Sequence, residues 1–153
     1  MDWDLLAKGQ NCPFDNPRSE STEEWDSIAK LDASTLCLFR NQTYQGHCIL
    51  IYDPKHAASP DQLTPDEWAV FCNDAHRAIA AVRSVCQPDH VNLESLGNQM
   101  PHLHWHVVPR YKDDARWPNP IWTTNPEEFE LTTLEKDARL SMIESIRSAL
   151  PRV

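Results

Sequence analysis

Between Pro101 and Arg110 the chain reads Pro-His-Leu-His-Trp-His-Val-Val-Pro-Arg, with histidine and apolar residues alternating from His102 to Val107. Successive side chains of an extended strand point to opposite faces. The spacing therefore predicts a strand over residues 102–108 with His102, His104 and His106 on one face, each roughly 6.5–7 Å from the next. Leu103, Trp105 and Val107 fall on the other face and require a packed partner. The chain must fold into a sheet that is covered by a helix on one side and carries a row of imidazoles on the other.

The remaining elements follow from local pattern. Short apolar runs at residues 35–39 and 48–52, separated by a polar segment ending in Gly46, predict two neighbouring antiparallel strands. Thr64, Pro65 and Glu67 form a helix-start signature, and Trp68, Phe71, Cys72, Ala75, Ile79, Val82 and Cys86 follow at three- and four-residue spacing until Pro88. Residues 22–31 read as a short helix with Thr22 as cap and Trp25, Ile28 and Ala29 on one side. Residues 91–96 predict a further strand, broken by Gly97 and Pro101 from the histidine strand. An ordered loop rich in Pro, Asp and Trp runs to Asn125, and a weakly apolar helix occupies about residues 132–150. Without regular βαβ alternation, the expected fold is α+β: an antiparallel sheet of about five strands, one long central helix and a C-terminal helix. At 153 residues the expectation is one domain over 1–153, its core at about 35–110 and its C-terminal loop and helix at 111–153.

Composition narrows the function. Fourteen basic residues against 23 acidic ones give a formal charge of -9, which opposes bulk nucleic-acid binding. The five cysteines, at 12, 37, 48, 72 and 86, form no close pair, which points to reduced thiols in a cytoplasm. The N-terminus is acidic where a targeting segment would be basic, and the longest apolar run, 48–52, is too short to span a bilayer, so no membrane partner is expected.

The histidine segment resembles the signature of the histidine-triad (HIT) superfamily, in which single apolar residues separate three histidines and two more follow. Leu103, Trp105, Val107 and Val108 fill every apolar place. Upstream, Gly97-Asn98-Gln99-Met100-Pro101 is similar to the loop that leads into the triad strand. Gly46-His47, an apolar strand and Lys55-His56 match the family's Gly-His, strand, basic-His segment, and Pro109-Arg110 also fits. The likeness covers residues 35–110 and suggests a small bacterial-type HIT hydrolase.

That resemblance implies hydrolysis or transfer at the α-phosphate of a small adenosine conjugate, a phosphoramidate or a diadenosine polyphosphate, through a covalent nucleotidyl-histidine. His104 would be the nucleophile, His106 would donate to a phosphoryl oxygen, and His102 would orient the site. Gln99 and Asn98 would stand near the phosphate and leaving group, His47 beside the phosphate, and Asn92 against the ribose or the loop. Members of this size are usually homodimers, and none requires a cofactor for the chemistry. Neutral imidazole suits the role because its reference pKa of about 6.5 leaves it unprotonated near pH 7. Its second nitrogen must then keep a proton, held by a carbonyl or another neighbour.

Blander readings stand beside these. The three histidines also fit a hydrogen-bonded surface cluster, and His47 a strand-start residue bonded to backbone. Arg110 and Lys112, just past a strand, read as solvated charges, and His76 and His90 as structural. Trp117 and Trp122 either stack near the site or close the edge of the core. Two other function classes remain: a nucleotide-binding sensor or scaffold without turnover, and a His-ligated metal hydrolase. Some family members hold a structural zinc on Cys-x-x-Cys, the basic-His histidine and the first triad histidine. The matching residues here are Cys12, His56 and His102, with Asp15 in the place of the second cysteine.

Overall fold

The computed structural model describes residues 2–123 and 131–151. Five strands, β1 (Trp25–Lys30), β2 (Ser34–Phe39), β3 (Cys48–Tyr52), β4 (His90–Glu94) and β5 (His104–Arg110), form one sheet in the order β1-β2-β3-β5-β4. Every neighbouring pair is antiparallel. Among the described residues, three α-helices complete the fold: α1 (Trp3–Leu6), α2 (Pro65–Cys86) and α3 (Lys136–Ala149).

Helix α2 forms as its start signature requires. The Thr64 hydroxyl accepts from Glu67 N–H, the Glu67 carboxylate accepts from Thr64 N–H, and Pro65 opens the first turn. It ends at Gln87, whose φ of 48° reverses the chain before Pro88. Its apolar face, Phe71, Ala75, Ala78, Ala81 and Val82, is buried against the chain's own sheet. There the apolar face of β5 meets it: Trp105 stacks on Phe71 with ring centroids 4.4 Å apart and touches Trp68 at 5.3 Å. This contact fixes the rotation of β5 and so commits His104 and His106 to the opposite face.

Residues 22–31 depart from expectation, because the helix predicted there is the edge strand β1. Thr22 does accept from the N–H groups of Glu24 and Trp25, as a cap would, but the turn it makes leads into a strand. The misleading signal has a clear cause. Trp25 and Ile28 are three apart, which is one face of a helix but opposite faces of a strand. Here both faces are covered, so Ile28 joins the core under α2 while Trp25 packs with Phe14, Cys37 and Ile49 on the other side. A register shift between Ser27 and Ala29 further disguises the alternation.

The cover on the second face comes from the N-terminal segment, where the short helix α1 was not foreseen. Leu6, Cys12 and Phe14 pack with Trp25, Cys37, Ile49 and Ile51, backed by Phe39 and Met100. Helix α3 begins at Lys136, later than predicted, and buries Ile143 and Ile146 in the α2 core. The predicted loop is described as far as Thr123, and its end at 124–125 lies outside the described residues. No helix among the described residues is long and apolar enough to cross a membrane.

Candidate active site

His104 and His106 stand two apart on β5, with ring centroids 5.2 Å apart, and both line a cleft of about 790 Å³. Its walls are Trp3, Leu6, Phe14, Trp25, Phe39 and Ile49 on the side of the N-terminal segment, and Leu96, Gly97, Asn98, Gln99 and Trp122 on the other. A second hollow of about 700 Å³ lies beside β1 and Arg147 and is lined by no described histidine. Asn98 and Gln99 are exposed and line the same cleft as His104 and His106.

His102 differs from expectation in that it precedes β5 instead of belonging to it. Its ring stays on the same side of the sheet, since Phe14 meets both His102 (5.8 Å) and His104 (5.2 Å) edge-on. The offset has a chemical use. His104 Nδ1 lies 2.6 Å from the His102 carbonyl oxygen, which can only accept, so the proton sits on Nδ1 and Nε2 carries the lone pair.

His47 is buried and does not line the cleft. It lies behind His106, with its Nε2 3.1 Å from His106 Nδ1, within hydrogen-bond distance. The loop that carries it is fastened by Gln42, which the sequence reading overlooked. The Gln42 amide donates to the carbonyls of Phe39 and His47 and accepts from Gly46 N–H. Gly46 is required at this point: its φ is +88°, and a Cβ would lie 2.3 Å from Cys86 Sγ. Asn92 likewise is not among the lining residues, and its amide donates to Glu94 instead.

Burial, followed by the adjacent His106, lowers the His47 pKa to about 3, while burial, followed by His104, lowers His106 to about 4. Burial also lowers His104 and His102, against the opposing pull of the carbonyl each one donates to. All four rings are therefore neutral near pH 7. In the unfolded chain they would take up protons near pH 6.5, so below that pH the unfolded state binds more protons than the folded one. Stability should be complete above pH 7 and fall as pH drops from 6.5 toward 4, by up to about 1.4 kcal/mol per pH unit for each of His47 and His106. Thermal melts from pH 7.5 to 5 should record this decline. A melting temperature constant over that range would show that these rings are not neutral in the folded protein.

A second cluster adjoins the first. Cys12, Asp15, His56 and His102 each offer a ligand atom, all within 4.8 Å of one another. His102 Nε2 lies 2.7 Å from the Tyr52 carbonyl, so it holds the proton and Nδ1 is bare. That bare nitrogen faces Asp15 Oδ1 at 3.2 Å and Cys12 Sγ at 3.6 Å, and His56 Nδ1 approaches the same carboxylate oxygen at 3.1 Å. The Cys12 thiol can donate to this lone pair, and an ion shared between the nitrogen and the carboxylate would satisfy both. Asp15, which the sequence offered only as a missing cysteine, supplies the fourth donor. One thiolate, one carboxylate and two imidazoles form a set that zinc accepts.

Arg110 corrects the expectation of a solvated charge. It is 1% exposed, its Nε donates to Asp114 Oδ2 at 2.8 Å and its Nη2 to Asp114 Oδ1 at 3.0 Å, and the guanidinium lies over Tyr44 and Trp117. Trp117 lies beside the Arg110 guanidinium and is 38% exposed, whereas Trp122 lies at the cleft with its ring 5.0 Å from His106.

The five-stranded antiparallel sheet, the long backing helix and the imidazole row on the face away from that helix are those of a histidine-triad protein. The chain matches the HIT domain model over residues 21–113, more than half of its length, and belongs to that family. Its structure is similar to a histidine triad protein from Bradyrhizobium japonicum, with a TM-score of 0.75 and 23% identity over 84% of this chain and 92% of that one. A histidine triad protein from Sinorhizobium meliloti gives 0.75 and 20% over 83% and 90%. A zinc-bound histidine triad family protein from Mycobacterium smegmatis gives 0.56 and 15% over 94% and 90%. Among curated proteins, none matches the sequence.

Proposed function

We propose that this protein is a nucleotide hydrolase or nucleotidyl transferase that acts at the α-phosphate of a small adenosine conjugate. The observation that carries the reading is the bond from His104 Nδ1 to the His102 carbonyl, which leaves Nε2 as the nucleophilic atom of a ring lining the cleft. Nε2 attacks phosphorus, and the bond to the leaving group breaks with its electron pair going to the leaving atom, which takes a proton from water. Nδ1–H stays on the carbonyl and supports the positive charge on the substituted ring. Water then attacks phosphorus, the P–Nε2 bond returns its pair to His104, and a mononucleotide and a proton are released.

The other residues support this course. With His47 Nε2–H donating to His106 Nδ1, His106 Nε2–H is turned outward as a donor for a phosphoryl oxygen, which stabilises the charge of the transition state. The amides of Gln99 and Asn98 add donors at the loop. Trp3, Leu6, Phe14, Trp25, Phe39 and Ile49 offer an apolar enclosure suited to a base. Mixing the protein with an adenosine phosphoramidate, quenching, and mapping a nucleotide adduct to the peptide containing His104 tests the reading. Binding without adduct or release would make the protein a sensor and overturn it.

The reading includes a structural zinc held by Cys12, Asp15, His56 and His102, none of which lines the cleft. When bound, the ion would fasten the N-terminal loop beneath the triad, its four positions filled by protein. Purified protein should contain about one zinc per chain, and chelation or Asp15→Ala should remove it and lower the melting temperature by several degrees. Metal-free protein with the same melting temperature as zinc-supplemented protein would end this part of the reading. A homodimer, the family's usual state, belongs to the proposal as well and is checked by light scattering; the apolar face of α2 is already used on its own sheet.

A further inference from the structure

Gln42 replaces a missing rung of the sheet. β2 and β3 pair at Leu38 and Cys48, and continuing that register sets Phe39 opposite His47. Opposite residues of this kind exchange two backbone bonds in a regular antiparallel ladder. Here one of the two is made: Phe39 N–H donates to the His47 carbonyl at 3.0 Å, whereas His47 N–H turns into the loop and donates to the Tyr44 carbonyl at 2.9 Å. The Phe39 carbonyl accepts from the Gln42 side chain instead, at 2.6 Å, and the same amide nitrogen donates to the His47 carbonyl at 3.0 Å. Both amide hydrogens are thereby used. The amide oxygen accepts from Gly46 N–H at 2.8 Å, and the Gln42 backbone N–H is itself fixed on the Thr132 carbonyl at 2.7 Å.

The substitution matters because of where His47 stands. It precedes β3 by one residue, and the pairing of β3 with β5 starts only at Cys48. His47 shares a face with Ile49, the partner of His106, so His47 and His106 are diagonal neighbours. Diagonal positions lie about 7–8 Å apart, so the 3.1 Å approach of the two rings requires the His47 backbone to be held at one tilt. The ring of Phe39 closes on His47 with centroids 4.9 Å apart. Gln42 is 4% exposed and His47 3%, so water is a poor substitute for the bonds of the amide.

Resting on the reading of His106 given above, we propose that Gln42 is a positioning residue that fixes the proton of His106 by holding His47 behind it. His106 donates to a phosphoryl oxygen only while its Nδ1 accepts and its Nε2 carries the hydrogen. Without the Gln42 amide the His47 backbone relaxes toward a regular rung, the ring withdraws, and His106 populates both neutral tautomers. The molecules with a bare Nε2 then present a lone pair to the substrate in place of a donor. Gln42 touches no substrate and acts through His47 alone.

The test uses Gln42→Met, which keeps the length of the side chain and removes every bond of the amide, with adenosine 5′-phosphoramidate as substrate. Its kcat should fall by about tenfold to a hundredfold with KM within about twofold, since the lost donor acts in the transition state. In the His106→Ala background the same change should cost less than about threefold, because the group it serves is already gone. In ¹⁵N spectra of histidine-labelled protein, wild-type His106 should show one protonated and one bare nitrogen, and Gln42→Met should show averaged signals. Gln42→Glu keeps an acceptor for Gly46 N–H but cannot supply both donors, and as the second variant it should repeat the pattern. Losses that multiply fully in the double variant, or His106 signals unchanged in Gln42→Met, overturn the assignment. Failure of both variants to fold overturns it as well, since Gln42 would then serve the fold as a whole. If wild type releases no mononucleotide, the catalytic reading falls, and the His106 signals alone decide whether Gln42 sets its proton.

Discussion

Replacing His104 with alanine should lower mononucleotide release by at least about four orders of magnitude, a loss typical of deleting a covalent nucleophile. That corresponds to roughly 5.5 kcal/mol of transition-state stabilisation. No nucleotide adduct should be trapped on the variant. His106→Ala should lose about 10²–10³-fold, as expected for a donor to the developing charge, and should still form the adduct slowly. The ordering separates the two roles. His104 is buried against Phe14, so alanine leaves a gap, and the melting temperature must be read alongside the rate. His104→Gln fills more of that gap and should lose turnover just as fully. If His104→Ala keeps more than one hundredth of the wild-type rate, another group performs the attack.

The largest effect on stability is expected far from any substrate, at Asp114. Its carboxylate takes both donors of the buried Arg110 fork and the N–H groups of Tyr111 and Arg116. Asp114→Ala strands the guanidinium beneath Tyr44 and Trp117. Removing one partner of a buried pair costs about 3–5 kcal/mol, which for a domain of this size lowers the melting temperature by roughly 10 °C. The double variant Arg110→Met with Asp114→Leu should recover most of the loss, because no charge is then left without a partner. A drop of less than 2 °C in Asp114→Ala would mean that water reaches Arg110 and shares its charge.

The parts of the fold that were legible share one property: their signal is local. Thr64, Pro65 and Glu67 announce α2 because all their bonds are made within three residues. The runs 35–39 and 48–52 announce β2 and β3 because neighbours in sequence pair directly. Alternation at His104, Trp105 and His106 assigned both faces of β5. What escaped depends on distant partners. β1 was misread because both of its faces are buried, so the alternation that marks a half-buried strand is absent. Asp15 carries no sign of its role until the fold brings it to His56 and His102. Arg110 looks like a surface charge until Asp114 and two aromatic rings are placed around it. Gln42, three bonds deep in the loop behind His47, has no motif at all.

Phe14 sits between Cys12 and Asp15 in the chain, and its ring meets that of His104 edge-to-face. One short stretch of backbone thus belongs to the proposed metal clamp and to the wall of the cleft at once. Drift in this loop would disturb the Cys12, Asp15, His56 and His102 cluster and the wall of the cleft together, leaving it little freedom to vary. Divergence of substrate range in such a scaffold has an easier route at the opposite rim, where Leu96 and Trp122 can be exchanged without touching the clamp.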